Sequence, residues 1–239
     1  MAKLRKPTKE PHSSHSILSD FILGSQDGLV NVLGILLGIS AATSDVKILF
    51  VAAFAALGAE SISMGAVAFT STLVRRKQYL KEVERETKEM KEIPADELEE
   101  VRGILRNWGY QGESLETMAN YIKANPKAML EFMMSFELKL APVAQSEAAR
   151  SFVIVLSSTV FGSLIPLVPY FFVSSSTIWV GTIASVVLSG AVLFGIGAYE
   201  AKTTVGSVWK SGLQMTLIGL GAGLAGYMIG RLIGAAPSL

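Results

Sequence analysis

The chain has 239 residues, of which 50% are hydrophobic and only 17% are charged, with a net charge of +1 and a mean hydropathy of +0.45. A soluble domain of this size carries nearer a quarter charged residues, and the near-neutral charge gives no support for nucleic-acid binding. The chain contains no cysteine, which excludes disulfides, thiolate metal sites and a cysteine nucleophile.

The charged residues are concentrated in one stretch of the chain. Residues 75–147 hold 14 of the 20 acidic and 12 of the 21 basic residues, whereas the rest is rich in aliphatic residues and glycine. This distribution predicts a membrane domain interrupted by one water-exposed insertion. The predicted division is a cytosolic tail at 1–17, two transmembrane helices at 18–74, the insertion at 75–147 and three transmembrane helices at 148–239.

Five apolar segments are long enough to cross the roughly 30 Å hydrocarbon core as helices, which satisfy their own backbone polar groups. They are residues 18–42, 46–74, 151–172, 178–199 and 212–233. The sequence therefore predicts an all-α membrane protein with five transmembrane helices and one helical insertion between the second and third.

Lysine and arginine are concentrated in the tail, the insertion and the loop at 201–211. By the positive-inside rule, the N-terminus and the insertion are expected in the cytosol and the C-terminus outside. The tail lacks the pattern of a cleaved signal peptide, so the first hydrophobic segment is expected to stay in the membrane. Without organelle signals, the chain is expected in a prokaryotic plasma membrane.

Ionisable and polar side chains interrupt the first two apolar segments. Asp27 and Asn31 are one turn apart on the first segment, and Glu60 and Met64 are one turn apart on the second. An ionisable group inside a membrane helix costs about 2.5 kcal/mol or more and normally has a functional role. A carboxylate beside a thioether favours a transition metal over Mg²⁺ or Ca²⁺. The alternative to a functional role for Asp27 is a structural one, as an acceptor of interhelical hydrogen bonds. The alternative to metal binding by Met64 is apolar packing.

Glycines recur at helical spacing in the first and last apolar segments. They are Gly34 and Gly38, followed by Gly219, Gly223, Gly226 and Gly230. Such faces permit close helix packing, either within one subunit or between two.

The sequence of the insertion contains start and stop signals for four helices. The absence of glycine and proline at 75–93 predicts that the second transmembrane helix continues unbroken until Pro94. A second helix is predicted at 96–107, a third with Ser114 as its N-cap, and a fourth that opens at Asn125 and runs towards Leu140.

Carboxylates and thioethers recur along these helices. They are Glu82, Glu86 and Glu89, then Glu97 and Glu100, and finally Met133, Met134 and Glu137. Carboxylate and thioether groups could hold Fe²⁺, Mn²⁺ or Zn²⁺. The alternative is an ordinary solvated helix, because basic residues are interleaved with the glutamates. A di-iron oxidase is disfavoured, because the only histidines are His12 and His15 in the tail.

Three motifs resemble the vacuolar iron transporter family: DGLVNVLGILLG at 27–38, SISMG at 61–65 and FMMSFEL at 132–138. The resemblance extends from about residue 16 over nearly the whole chain. It implies a homodimer with its pore between the subunits, which exports Fe²⁺ from the cytosol in exchange for protons.

The resemblance also implies roles for individual residues. Asp27 is similar to the family's pore carboxylate and Met64 to its pore thioether. The remaining matches are to the family's metal-binding groups: Glu86 and Glu89 to its Arg-Glu-x-x-Glu motif, Glu97 and Glu100 to its Pro-x-x-Glu-x-x-Glu motif, and Met133, Met134 and Glu137 to its last cluster. The chain departs from the family at Ala56, where many members carry a glutamate, and Glu60 is a candidate substitute.

The predicted function is thus Fe²⁺ export by a membrane transporter rather than an enzyme, with no resident cofactor. The expected partners are divalent metal ions, protons, the lipid bilayer and a second copy of the chain. One alternative is a Mn²⁺ exporter, and another is a non-transporting membrane protein whose insertion senses metal or docks a partner. A membrane oxidoreductase is disfavoured because the sequence contains no haem or flavin motif.

Overall fold

The computed structural model describes residues 14–234, and within that range every regular element is helical. The helices are α1 (Ser14–Ala42), α2 (Val46–Glu92), α3 (Pro94–Asn107), α4 (Gly112–Ala124), α5 (Pro126–Phe132), α6 (Gln145–Leu167), α7 (Ile178–Thr203) and α8 (Val208–Gly234). Five of the helical segments in the described range are long and apolar enough to cross a membrane. The predicted all-α fold with five membrane-spanning helices is therefore confirmed. Most of the predicted tail, including His12, lies outside the described residues.

The chain divides into two compact units. The first comprises Met1–Phe69 and Ala149–Leu239, and the second is Thr70–Ala148. We call them the membrane unit and the charged unit. Helix α2 begins in the first and ends in the second. It has 47 residues, or roughly 70 Å at 1.5 Å per residue, about twice what a hydrocarbon core requires.

Close contact between α1 and α8 organises the membrane unit. A Cβ atom at Gly226 would collide with the carbonyl oxygen of Gly34, and one at Gly230 with that of Gly38. The two glycine faces therefore bring these helices into backbone contact within one subunit. Of the two arrangements that the spacing allowed, the structure shows packing within the chain.

Apolar side chains fill the interior of the membrane unit and also cover its exterior. One buried cluster joins α1, α2 and the segment around the α6–α7 connection through Val32, Leu36, Leu49, Ala53, Leu167, Tyr170 and Ile178. Large apolar residues such as Val51, Phe161 and Val187 are exposed. Helices that are apolar on every face are typical of proteins surrounded by lipid.

The charged unit has an apolar core of its own. Helices α3, α4 and α5 meet around Leu98, Val101, Leu105, Leu115, Ala119, Met129, Phe132 and Met133. Asn125 caps α5, since its side chain accepts a hydrogen bond from the amide of Ala128. A π-helical turn, Met133–Glu137, then follows α5 directly.

The predicted N-cap of α4 is wrong. The helix begins at Gly112 with Gln111 as its cap, and the Ser114 hydroxyl instead donates to the Gln111 carbonyl oxygen. Gly112 has a φ of +56°, a conformation that glycine adopts without strain. The chain can therefore turn into the helix before it reaches Ser114.

Candidate metal sites

In the membrane unit, α1 and α2 bring together three of the predicted pathway residues. The Asn31 side-chain amide donates a hydrogen bond to the carboxylate of Glu60. The Asp27 carboxyl lies within interaction range of the Glu60 carboxyl. Asp27 and Glu60 are half-buried and Asn31 is exposed. Two acidic groups thus lie close to each other on facing membrane helices, where a cation or a proton would relieve their repulsion.

Met64 and Ala56 lie one turn on either side of Glu60 along α2, and both are half-buried. Glu60, one turn from Ala56, faces Asp27 and Asn31 on α1.

In the charged unit, Glu86 and Glu89 near the end of α2 meet Glu97 in the first turn of α3. Each of the three offers a carboxylate oxygen within 4.8 Å of the other two, a spacing suited to one metal ion. Spacing along the sequence does not by itself bring these helices together. The reversal at Ile93, with Pro94 as the first residue of α3, turns α3 back towards α2.

Two of these carboxylates are almost fully buried. Glu86 is 1% exposed and Glu97 is 2% exposed, and the Oε2 atom of each has no hydrogen-bond partner among the described residues. A buried carboxylate oxygen without a donor is costly and uncommon in a folded protein. A bound cation would satisfy both oxygens at once.

Glu100 and Glu137 add further negative charge to the trio. Burial, followed by the charges of Glu86, Glu100, Glu137 and Glu89, raises the pKa of Glu97 to about 7. Burial, followed by Glu100 and Glu86, raises the pKa of Glu137 to about 7. The Oε2 atom of Glu137 is also buried without a hydrogen-bond partner among the described residues. Glu97 and Glu137 therefore exchange protons near neutral pH, where a metal ion would compete with them.

Met133, Met134 and Glu137 all lie in the π-helical turn. Met133 is 0% exposed and packs in the apolar core of the unit, while Met134 is 2% exposed. π-Helical turns interrupt helices most often at functional sites. The sequence places the three residues on a helix, but its pattern does not reveal this widened turn.

Glu82 lies outside this trio of carboxylates and pairs with Arg85. Its Oε2 atom lies 2.9 Å from Nε of Arg85, and the group of Glu86, Glu89 and Glu97 does not include it. Arg85 has no assigned role in the sequence-based prediction, although it contacts this cluster. Its positions three residues after Glu82 and four before Glu89 are a signal for ion pairs along one helix face.

Comparison with known proteins gives consistent matches over nearly the whole chain. A family model described as the VIT family matches residues 18–231. The "vacuolar iron transporter" of Centaurea cyanus is 33% identical over 232 residues, which cover 97% of this chain and 93% of that protein. "Vacuolar iron transporter 1" of Eucalyptus grandis is 31% identical over 226 residues, 94% and 90% of the two chains. "Protein CCC1" of Saccharomyces cerevisiae is 27% identical over 226 residues, 91% and 69% of the two chains.

Proposed function

Since the chain belongs to the VIT family, we propose that it exports Fe²⁺ from the cytosol in exchange for protons, through a pore at a homodimer interface. Family membership itself makes the chain an integral membrane protein and a metal transporter, not an enzyme. The choice of ion, the exchange with protons and the pore between subunits are the parts proposed here.

The proposal is carried by the carboxylate cluster of Glu86, Glu89 and Glu97 in the charged unit. The buried, unpartnered oxygens of Glu86 and Glu97 support a divalent cation as the ligand of this cluster. The thioethers of Met133 and Met134 precede Glu137 in the adjoining π turn, and thioethers favour a transition metal over Mg²⁺ or Ca²⁺. In the proposed function, this cluster gathers ions from the cytosol before they enter the membrane pathway.

The pathway is proposed to pass Met64, Glu60 and Asp27. The two carboxyls interact with each other, so an arriving dication would displace protons from the pair, and returning protons would release the dication. Asn31 would hold Glu60 in place through its amide hydrogen bond. This competition at one pair of carboxyls would couple metal movement to the proton gradient.

The exposed side chain of Asn31 supports a pore between two subunits. It lies on a membrane-spanning helix, and polar groups in such helices normally face protein or a water-filled cavity rather than lipid. A second copy of the chain would cover this face and enclose the polar side chains. The same face could not be left against lipid without cost.

The membrane in which the chain works is a separate proposal. The prokaryotic plasma membrane predicted from the sequence has no support from the relatives, two of which are named vacuolar. It stays a prediction, to be checked by locating the protein in its own cells.

The test is Fe²⁺ entry into proteoliposomes that contain an iron-quenched dye, with Asp27→Asn compared against wild type. We expect Asp27→Asn to abolish the flux while the protein stays folded. The matched control is Asp45→Asn, in the α1–α2 connection, where Asp45 accepts a hydrogen bond from the Lys47 amide; it should retain the flux. Full activity of Asp27→Asn would refute the pathway.

Two rival functions are separated in the same assay. A Mn²⁺ exporter would move Mn²⁺ in preference to Fe²⁺ when both ions are offered. A metal sensor or docking protein would bind metal through the charged unit but give no flux of either ion.

A further inference from the structure

The side chain of Arg85 lies among three carboxylates of the charged unit. Its Nη2 atom is 2.9 Å from Oε1 of Glu86, and its Nε atom is 2.9 Å from Glu82 and 3.7 Å from Glu89. Its side chain is 47% exposed, whereas that of Glu86 is 2% exposed. A guanidinium group thus reaches from solvent into the buried cluster.

Two of these contacts conflict with metal binding. Glu86 and Glu89 belong to the trio whose oxygens lie within 4.8 Å of one another, and both also bind Arg85. A dication among these oxygens would repel a guanidinium a few ångströms away in a partly desolvated site. The contact with Glu82 has no such conflict, because Glu82 lies outside the trio.

We propose that Arg85 is a built-in competitor of the metal ion and that Glu82 is its anchor rather than a metal ligand. This inference rests on the proposed function of the cluster. Before metal arrives, Arg85 balances the charge of Glu86 and Glu89. When metal binds, Arg85 releases both and stays on Glu82.

This arrangement lowers the affinity of the cluster and so favours release of the ion towards the pathway. It also gives Glu82 and Arg85 opposite effects. Loss of Arg85 removes the competitor and strengthens metal binding. Loss of Glu82 frees Arg85 to bind Glu86 and Glu89 more tightly, which weakens metal binding.

The experiment is a titration of the purified full-length protein with Mn²⁺, a redox-stable probe whose free ion is counted by electron paramagnetic resonance. Binding that is lost in Glu97→Gln is assigned to the cluster. Arg85→Gln should tighten this binding about tenfold, the size expected for removing one charge-assisted contact. Arg85→Lys, which keeps the charge, should stay within about threefold of wild type.

Glu82→Gln should weaken binding about threefold in the wild-type background and leave it unchanged in the Arg85→Gln background. The matched control is Arg106→Gln. Arg106 is 52% exposed and pairs with Glu99 at 2.7 Å, so its loss removes one positive charge from the unit without touching the trio. Its effect should be negligible.

Several results would overturn the inference. Wild-type binding that Arg85→Gln leaves unchanged or weakens would refute the competitor while leaving the metal site intact. An equal loss from Glu82→Gln in both backgrounds would make Glu82 a direct ligand. Failure of both wild type and Arg85→Gln to bind Mn²⁺ in a Glu97-dependent way would overturn the metal site itself, and the inference with it.

Discussion

Replacing Glu97 by glutamine should stabilise the metal-free charged unit while abolishing metal binding. Burial and the neighbouring carboxylates raise the pKa of Glu97 from 4.5 to about 7. A rise of this size corresponds to about 3.4 kcal/mol at most, at roughly 1.4 kcal/mol for each pKa unit. Glutamine keeps the shape of the side chain without the charge, so it removes most of this cost.

The sign of the pH dependence follows from the raised pKa. Below pH 4.5, Glu97 is protonated in both the folded and the unfolded chain, and its ionisation costs nothing. As pH rises towards 7, the unfolded chain ionises first and the folded state loses stability. The cost is complete above pH 7. The gain from Glu97→Gln should therefore be about 2–3 kcal/mol at pH 8 and below about 1 kcal/mol at pH 5.

The assay is hydrogen–deuterium exchange of peptides from α3 in metal-free protein, with intrinsic exchange rates corrected for pH. The matched control is Glu99→Gln, two residues along the same helix. Hydrogen bonds from Arg106 and Arg102 hold the pKa of Glu99 below its usual range, so this variant should lose protection at pH 8 and not at acid pH. Lower protection of Glu97→Gln at pH 8, or an equal gain at both pH values, would refute the reasoning.

Three further predictions concern proton coupling, metal affinity and helix packing. Glu60→Gln should lower Fe²⁺ flux about tenfold, the size expected for the loss of one charge-assisted contact. It should also weaken the response of the flux to an imposed pH gradient. If the flux in proteoliposomes depends on the gradient as in wild type, Glu60 does not couple metal movement to protons. The affinity for Mn²⁺ should fall by roughly 10- to 100-fold between pH 8 and pH 6. Glu97 and Glu137 each have a pKa of about 7 and must lose their protons before they bind the ion. A Mn²⁺ titration that does not depend on pH would contradict this. Gly230→Ala should destabilise the membrane unit by about 1–3 kcal/mol, because the new Cβ would clash with α1. Gly221→Ala should be tolerated, because no atom lies within 4 Å of the new Cβ. Equal melting temperatures of the two variants would refute close packing of α8 on α1.

The helices of this protein are largely predictable from its sequence, because an apolar run of about 20 residues has few alternatives to a membrane helix. The continuation of α2 to Glu92 follows from a stretch without glycine or proline. Helices α6 and α8 begin at Gln145 and Val208, ahead of the apolar segments, because polar residues extend a helix without adding hydropathy. The start of α4 was mispredicted since the conformation of Gly112 is not encoded in a capping pattern.

The candidate sites are harder to predict from the sequence than the helices are. Spacing along α2 puts Glu86 and Glu89 on one face, but the approach of Glu97 depends on the reversal at Pro94. For these glutamates, the resemblance to a known family favours a metal site over an ordinary solvated helix, and their spacing alone does not. The burial of Glu86 and the position of Arg85 are visible only once the helices are packed.

The central claim is tested most directly by Fe²⁺ entry into proteoliposomes of the wild-type protein, with and without an imposed pH gradient. Flux that rises with the gradient, accompanied by proton movement in the opposite direction, is the predicted result. Folded, dimeric protein that moves neither Fe²⁺ nor Mn²⁺ under any gradient would contradict it and would favour a sensor or docking protein.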